Sequence, residues 1–165
     1  EAIKVEGNTG IVTHVQKPIW VGYHSAQYTS ATSAWGTIGI NTTRWEVGSN
    51  WDTSNYYYTV PISGMYQITM NVEMTHVNGQ SWIYLMPRID NSDSTTSSAG
   101  IPFVDFSPKT YTGSGASAYF AYHRIDVCRL TAGNKIRFQS RLSGSNFQIG
   151  SGTQNSYSIQ WLDVS

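Results

Sequence analysis

Hydrophobic and polar residues alternate with a period of two along much of the chain. Between residues 66 and 73 every second side chain is large and apolar, while the side chains between them are polar. Such alternation predicts a β-strand that turns one face to a core. Clusters of Gly, Pro, Asn and Ser separate the apolar runs, and no stretch of ten residues carries a helical pattern, so we predict an all-β sandwich or jelly roll. Shorter runs of the same kind occur at residues 19–28, 45–47, 82–89, 119–130, 135–142 and 157–164.

The first 17 residues differ from the rest of the chain. They contain a polar turn at residues 6–10 and lead through Pro18 into the first apolar run. The remaining length is that of one domain, because a chain of 165 residues buries roughly 70 % of its unfolded surface in a single core. We therefore predict a stalk-to-head linker at residues 1–17 and one head domain at residues 18–165.

Charged residues are scarce and balanced. Ten Lys and Arg oppose ten Asp and Glu, and the charged fraction of 12 % is about half the usual ~25 % of globular proteins. A nucleic-acid-binding role is disfavoured, since it needs a basic surplus. The chain instead carries 21 Ser and 17 Thr, as is typical of extracellular or virion β-proteins. With so little net charge, a defined oligomer is the simplest way to stay soluble.

The polar side of the strand at residues 66–73 is the candidate surface for that oligomer. Neutral side chains there can form hydrogen bonds across a symmetry axis. The predicted interface residues are Gln67, Thr69, Asn71 and Glu73.

Three segments then resemble the complement C1q globular domain, and together they span residues 19–164. Residues 50–72 are similar to its signature, in which an aromatic-Asp pair, a turn, an aromatic-x-x-Pro and a Gly-x-Tyr lead into a buried strand. Residues 130–138 resemble its Leu-x-x-Gly turn, and residues 156–162 resemble its closing aromatic strand. Asn134 and Ile159 depart from the family, which usually has Asp and Gly there, and the sequence shows no collagen repeat. The matching positions are Trp51, Asp52, Tyr58, Pro61, Gly64, Tyr66, Leu130, Gly133, Ile136, Phe138, Tyr157 and Trp161.

The resemblance implies a ten-stranded jelly roll of the C1q/tumour-necrosis-factor type that forms a homotrimer with one sheet facing the axis. It implies no activity, because one fold hosts many functions. Residues 10–20 also resemble the leader of C1q-like heads on phage tail and head fibres. We therefore expect a non-enzymatic head of a virion or bacterial surface appendage that binds a host-surface glycan or protein. A carbohydrate-binding module of a secreted enzyme and a secreted C1q/tumour-necrosis-factor-like ligand stay open as alternatives.

Catalytic and metal-binding motifs are sparse. The sequence has no Gly-x-Ser-x-Gly elbow, no phosphate-binding loop and no His-Glu-x-x-His pair. The single cysteine, Cys128, lies five residues from His123, so on one strand the two face opposite sides, and Cys128 is predicted to be a small core residue. We predict no enzyme activity, cofactor or metal. Calcium at Asp90 and Asp93 is one alternative, since Ca²⁺ prefers oxygen ligands. A metal ion held on a trimer axis by three copies of one His is another.

No apolar run approaches the roughly 18 residues of a membrane span, so membrane insertion is not predicted. Two features are candidates for receptor contact beside the long polar loop that starts at Asp90. Tyr57 offers an aromatic ring for a sugar, and a basic stripe led by Lys135 and Arg137 is either a solvated face or a contact for an acidic glycan. The predicted receptor-binding residues are Asn91, Ser92, Asp93, Ser94, Thr95 and Tyr57.

Overall fold

The computed structural model describes residues 2–5, 12–15, 17–30, 34–76, 83–89, 119–142 and 147–162. These residues form β-strands, turns and loops, and none of them is helical. The all-β prediction is therefore confirmed for this part of the chain. The strands are β1 (Ala2–Val5), β2 (Val12–Val15), β3 (Ile19–Tyr23), β4 (Tyr28–Ser30), β5 (Gly36–Thr37), β6 (Thr42–Val47), β7 (Trp51–Asp52), β8 (Tyr57–Thr59), β9 (Gly64–His76), β10 (Ile83–Ile89), β11 (Tyr119–Leu130), β12 (Lys135–Leu142), β13 (Phe147–Ile149) and β14 (Ser156–Trp161).

Two antiparallel sheets form the sandwich. The smaller sheet has the order β10-β12-β8-β7, with β5 also paired to β12. The larger sheet has the order β4-β13-β9-β14-β3-β6, with β11 paired to the other side of β9. Strands β1 and β2 pair with each other as a separate two-stranded sheet, in the region predicted to be a linker. Because β3 pairs with β14, the first and last strands of the sandwich meet inside the larger sheet.

The described part of the sandwich contains twelve strands, where the resemblance implied ten. Several of them are short pieces separated by turns. Tyr56, for example, adopts φ of 56° in the turn that divides residues 51–59 into β7 and β8. In the same way the apolar run predicted at residues 19–28 is split into β3 and β4.

The core lies between the two sheets and is rich in aromatic rings. Trp20 of β3 stacks on Trp51 of β7 with ring centroids 3.8 Å apart, so one aromatic pair joins the two sheets. Phe138 meets Tyr157 edge-on at 5.0 Å. Every second residue of β9 from Tyr66 to Met74 is buried, as the alternation predicted. Fully buried large side chains include Trp20, Tyr58, Tyr66, Tyr157, Phe138, Ile38, Ile40, Ile68, Met70, Leu130 and Ile136.

The first matched motif forms a rigid corner of the smaller sheet. The Asp52 carboxylate accepts the backbone N–H groups of Ser54 and Asn55 at 2.8 and 2.9 Å, an arrangement that closes the turn after β7. Hydrogen bonds from Asn55, and then from Ser54 and Tyr57, lower the pKa of Asp52 to about 2. The aspartate of the motif therefore stabilises a turn as its anion.

The second half of that motif prepares the start of β9. The hydroxyl of Tyr66 donates to the carbonyl of Ile62 at 2.7 Å and holds the turn after Pro61. A Cβ atom at position 64 would lie only 2.4 Å from Nε1 of Trp161, and glycine has none. The glycine is therefore required by the close approach of the Trp161 ring.

The turn between β11 and β12 has a different glycine requirement. Gly133 adopts φ of 85°, a conformation that side chains disfavour. Its N–H donates to the carbonyl of Val60 at 2.8 Å, and Val60 in turn donates to the carbonyl of Asn134 at 2.9 Å. Although Asn134 departs from the usual Asp, its side-chain oxygen accepts the N–H of Thr131 at 2.9 Å and closes the turn.

Candidate functional site

The outward face of the larger sheet, here called the assembly face, has an ordered pattern of side chains. Strand register aligns two rows that cross β6, β3, β14, β9 and β11 in that order. Each row begins with two apolar side chains on β6 and β3, continues with two polar side chains on β14 and β9, and ends with an apolar side chain on β11. The rows are Trp45-Val21-Ser158-Thr69-Ile125 and Val47-Ile19-Gln160-Gln67-Val127.

The apolar ends of these rows are exposed to a degree that is unusual for large hydrophobic side chains. Trp45 is 62 % exposed, Ile125 is 54 % exposed and Val127 is 52 % exposed. The predicted interface residues Gln67, Thr69, Asn71 and Glu73 lie on the same face and are half-buried. Large apolar side chains exposed on both flanks of such a polar strip favour a protein-binding face.

Sequence reasoning missed the apolar members of this face. In β11 the outward residues Ile125 and Val127 alternate with the inward residues Asp126 and Cys128. The charged Asp126 thus faces inward and the apolar Ile125 and Val127 face outward, which is the reverse of what a hydrophobic core would suggest. That reversed alternation over residues 124–128 is the signal in the sequence that could have identified them.

Asn71 joins three strands of the assembly face. Its Nδ2 donates to the hydroxyl of Ser156 at 3.3 Å, which directs Oδ1 toward β11. That oxygen forms a hydrogen bond with Nδ1 of His123, an exposed residue. The predicted interface residue Asn71 is therefore already held by its own protomer.

The outward face of the smaller sheet corrects the idea of a solvated basic stripe. Lys135 is partly exposed as expected, but Arg137 is only 5 % exposed and Gln139 is fully buried. Their neighbours Ile136 and Phe138 are buried as well, so both sides of β12 are covered. The sequence predicted an outward stripe, because alternation distinguishes the two sides of a strand but does not report what covers each side.

Aromatic rings account for part of that covering. Arg88 lies directly opposite Arg137 in the register of β10 and β12, with its guanidinium 4.6 Å from the ring centre of Trp35. Nη1 of Arg88 donates to Oε1 of Gln139 at 3.2 Å. Cations on this face are thus packed against rings and amides.

Tyr57 lies among the same cations. Nζ of Lys135 is 4.6 Å from the centre of its ring, and Cζ of Arg137 is 5.3 Å from it. The hydroxyl of Tyr57 forms a hydrogen bond with Asp52. Two features that were separate in the sequence, the aromatic residue and the basic stripe, are therefore one site, here called the Tyr57 clamp: Tyr57, Lys135 and Arg137.

His24 and Cys128 lie in apolar surroundings away from this clamp. Burial lowers the pKa of His24 to about 4, although a hydrogen bond with the carbonyl of Gly39 acts to raise it. The ring also bonds to the hydroxyl of Tyr157 at 3.0 Å. Burial, and the charge of Asp126, raise the pKa of Cys128 to about 11, so its thiol is protonated at neutral pH and its sulfur packs against the core.

Other predicted positions fall outside the described residues. They are the calcium candidates Asp90 and Asp93 and the receptor-loop residues Asn91, Ser92, Asp93, Ser94 and Thr95. In the described part of the chain, no group of three or more His, Cys, Asp or Glu side chains is arranged to hold a metal ion. No helix able to cross a membrane occurs there either.

Comparison with known proteins identifies the fold. No protein-family model matches the sequence, and no curated protein matches it. The structure is similar to that of Eiger, a tumour necrosis factor (TNF) from S. frugiperda, with 12 % identity and a TM-score of 0.67 over 90 % of this chain and 93 % of that chain. It is also similar to murine APRIL (12 % identity, TM-score 0.58, 89 % of this chain and 100 % of that chain). The globular domain of zebrafish complement 1qA protein gives 12 % identity and a TM-score of 0.58 over 91 % of this chain and 100 % of that chain. The predicted C1q/TNF-like jelly roll is confirmed.

Proposed function

We propose that this C1q/TNF-like jelly roll is a non-enzymatic head that assembles as a homotrimer and attaches to a receptor on a cell surface. The observation that carries the proposal is the assembly face, where exposed apolar side chains flank a neutral polar centre. A monomer would leave Trp45, Ile125 and Val127 in water.

The two flanks of the assembly face differ, and this difference favours a ring. One flank carries Trp45 and Val47 beside β3, and the other carries Ile125 and Val127 on β11. A contact that places one flank of a copy on the opposite flank of the next copy is heterologous. A series of such contacts closes into a ring when the rotation from one copy to the next is a whole fraction of a full turn. The C1q resemblance implies that the rotation is one third of a turn.

The polar centre is suited to an axis shared by several copies. Gln67, Thr69 and Ser158 offer donors and acceptors without formal charge. Identical charges would meet around an axis, whereas neutral groups can bond to their own symmetry copies. The balance of ten basic and ten acidic residues also removes long-range repulsion between copies.

Binding without catalysis agrees with the chemistry of the titratable side chains. The Cys128 thiol has a raised pKa and lies on the side of β11 opposite to His123. A nucleophile with a base needs both groups within hydrogen-bond reach. The pair therefore supports no hydrolytic mechanism.

For the biological setting, we propose a virion appendage such as a phage tail or head fibre, and an extracellular location. The charge-poor surface and the leader at residues 10–20 support this setting. The receptor would be a host-surface glycan or protein, met by the polar segment at residues 91–95. A second candidate is a secreted ligand, which is favoured by the similarity to Eiger and APRIL.

Sedimentation together with a competition assay tests the proposal. Three chains of 18.3 kDa predict a species of about 55 kDa at all working concentrations. The purified trimer should compete with the intact particle for attachment to host cells. A stable 18 kDa monomer whose melting temperature rises with neutral sugars would support the carbohydrate-binding module instead. A trimer that signals to animal cells but does not compete with any particle would support the secreted ligand.

A further inference from the structure

His123 lies at one end of a third row on the assembly face. The register of β11, β9 and β14 aligns His123, Asn71 and Ser156, one step beyond the row that ends at Ile125. Because Oδ1 of Asn71 accepts the hydrogen bond from Nδ1 of the ring, Nδ1 carries the proton of the neutral imidazole. Nε2 is then the nitrogen that takes up a second proton in acid. An exposed side chain that changes charge between about pH 5 and 8 thus adjoins the apolar flank on β11.

The charged groups around His123 are few in the described part of the chain. Two residues away on either side, the outward side chains of β11 carry no charge. Arg124, the next residue, turns inward and binds Asp126. On β9 the half-buried Glu73 is the diagonal neighbour of His123. In a single chain, a protonated His123 ring therefore faces solvent and one carboxylate.

The opposite flank of the assembly face carries an exposed cation. The pairing of β3 with β6 shifts between Val21 and Gly22, so that β6 has one extra residue there, Arg44. Arg44 and the adjacent Trp45 are both exposed. Arg44 therefore lies beside Trp45, on the side away from Val47.

The apolar ends of the rows favour one height at which two copies meet. Rotation about an axis keeps each residue at its own height, so the two ends of one row meet when the rows lie across the axis. Trp45 then contacts Ile125 of the next copy, and Val47 contacts Val127 of the next copy. A shift by one row would set an apolar end against a charged or titratable side chain of β11, which hydrophobic burial disfavours.

The same height brings His123 of one copy beside Arg44 of the next. Strands β6 and β11 run in the same direction, since four antiparallel pairings separate them. His123 precedes Ile125 by two residues, or about 7 Å, and Arg44 directly precedes Trp45. Two positive charges at such a contact repel each other more strongly than in bulk water, because the effective dielectric constant is lower.

We propose that protonation of His123 releases the assembled head in mild acid. The ring is neutral in the trimer, and Nε2 takes a proton from solvent as the chains separate. Separated chains thus bind more protons than the trimer, so a fall in pH shifts the equilibrium toward them. This inference rests on the proposed homotrimer and names its regulation.

Analytical ultracentrifugation of the purified head at about pH 7.5 and about pH 5.5 tests the proposal. We expect the chain concentration at which half the trimer dissociates to rise about tenfold or more at the lower pH. The circular dichroism of the fold should stay the same. His123→Gln keeps a polar side chain next to Asn71 but takes up no proton, so its trimer should be equally tight at both pH values.

Variants of the opposite flank locate the repulsion. Arg44→Gln should reduce the effect of acid, and Arg44→Glu should abolish or reverse it, because a carboxylate attracts the protonated ring. Arg141→Gln removes an exposed cation from the smaller sheet and should leave the effect unchanged.

Three results would overturn the proposal. They are a wild-type trimer that is equally tight at both pH values, a pH dependence that His123→Gln retains, and equal effects of Arg44→Gln and Arg141→Gln. Dissociation that occurs only together with unfolding would also overturn it, since the acid sensitivity would then belong to the core.

The outcome is separable from that of the proposed function. A trimer at both pH values that competes for host attachment refutes only the acid release. A monomer at both pH values refutes the trimeric head itself. A trimer that dissociates in acid through His123 but competes with no particle refutes only the attachment role.

Discussion

The two sheets have opposite kinds of outward surface. On the larger sheet, large hydrophobic groups of the outward face such as Ile125 are more than half exposed. On the smaller sheet, the outward cations Arg88 and Arg137 are almost completely buried. Large apolar groups are thus exposed on one face, while two charged groups are buried on the other.

This inversion indicates two ways of covering a sheet. The smaller sheet covers its own outward face with rings that pack on long cationic stems. Among the described residues, the larger sheet leaves large apolar side chains of its outward face exposed, as expected for a surface that a second copy completes. The predictions below test whether one face belongs to assembly and the other to the fold of a single chain.

A charge placed on the flank of the assembly face should have the largest effect. Ile125→Asp puts a carboxylate where the proposed trimer buries an apolar side chain, and an unpaired buried charge costs several kcal/mol. We expect the trimer to weaken about 100-fold or more, while the circular dichroism of the fold stays the same. Analytical ultracentrifugation measures the change.

The matched control for that experiment is Ala132→Asp, which adds the same charge in an exposed turn. It should leave the sedimentation coefficient unchanged. A trimer that persists in Ile125→Asp would remove the apolar flank from the interface.

Acid should destabilise the core that supports both faces. Folding holds His24 neutral with a pKa of about 4, whereas the unfolded chain takes up the proton near 6.5. The unfolded state therefore binds more protons between these values, so stability is complete above pH 6.5 and is lost as the pH falls toward 4. The contribution is about 3 kcal/mol, measurable by urea unfolding across this range.

His24→Phe keeps an aromatic ring without the titrating group. Its overall stability should be lower, because the bonds to Tyr157 and Gly39 are lost. Its stability should nevertheless vary less between pH 6.5 and 4. An unchanged pH profile in the variant would assign the acid sensitivity to another group.

Gly64→Val should destabilise the edge of the larger sheet. A side chain at this position collides with the ring of Trp161, and overpacking of this kind costs about 1–3 kcal/mol. The Gly39→Ala control meets Tyr56 at an ordinary 3.5 Å and should cost less. Equal unfolding free energies for the two variants would show that the Trp161 ring moves aside without cost.

The smallest effect compares one outward residue from each sheet in a chain that is already monomeric. In the Ile125→Asp background, Arg137→Ala should lower the free energy of unfolding by about 1–2 kcal/mol, because packing against Tyr57 is lost. Gln67→Ala should change it by less than about 0.5 kcal/mol, since we propose that this side chain serves assembly. The reverse order would exchange the roles that we assign to the two faces.

Much of the fold could be predicted from local sequence. The bounds of β11 and β12 agree with the predicted runs at residues 119–130 and 135–142, because period-two alternation is a local property of an extended chain. The buried set led by Tyr66 and Ile68 followed from the same rule. Turns such as that at Gly133 were marked by residue types that tolerate unusual backbone angles.

Other features depended on pairing between distant strands. The alignment of Trp45 with Ile125 across five strands requires four registers, none of which is visible in a single segment. The meeting of Tyr57 with Lys135 and Arg137 likewise depends on β8 lying beside β12.

The sequence by itself determined where strands and turns form and which side of most strands meets the core, because these follow from local periodicity and backbone preference. Only the tertiary structure decided what covers the opposite side. That depends on which strands become neighbours, and hence on contacts between residues far apart in the chain. For this reason Arg137 was predicted to lie on an outward stripe and is buried, and the exposure of Ile125 became visible only in the folded sheet.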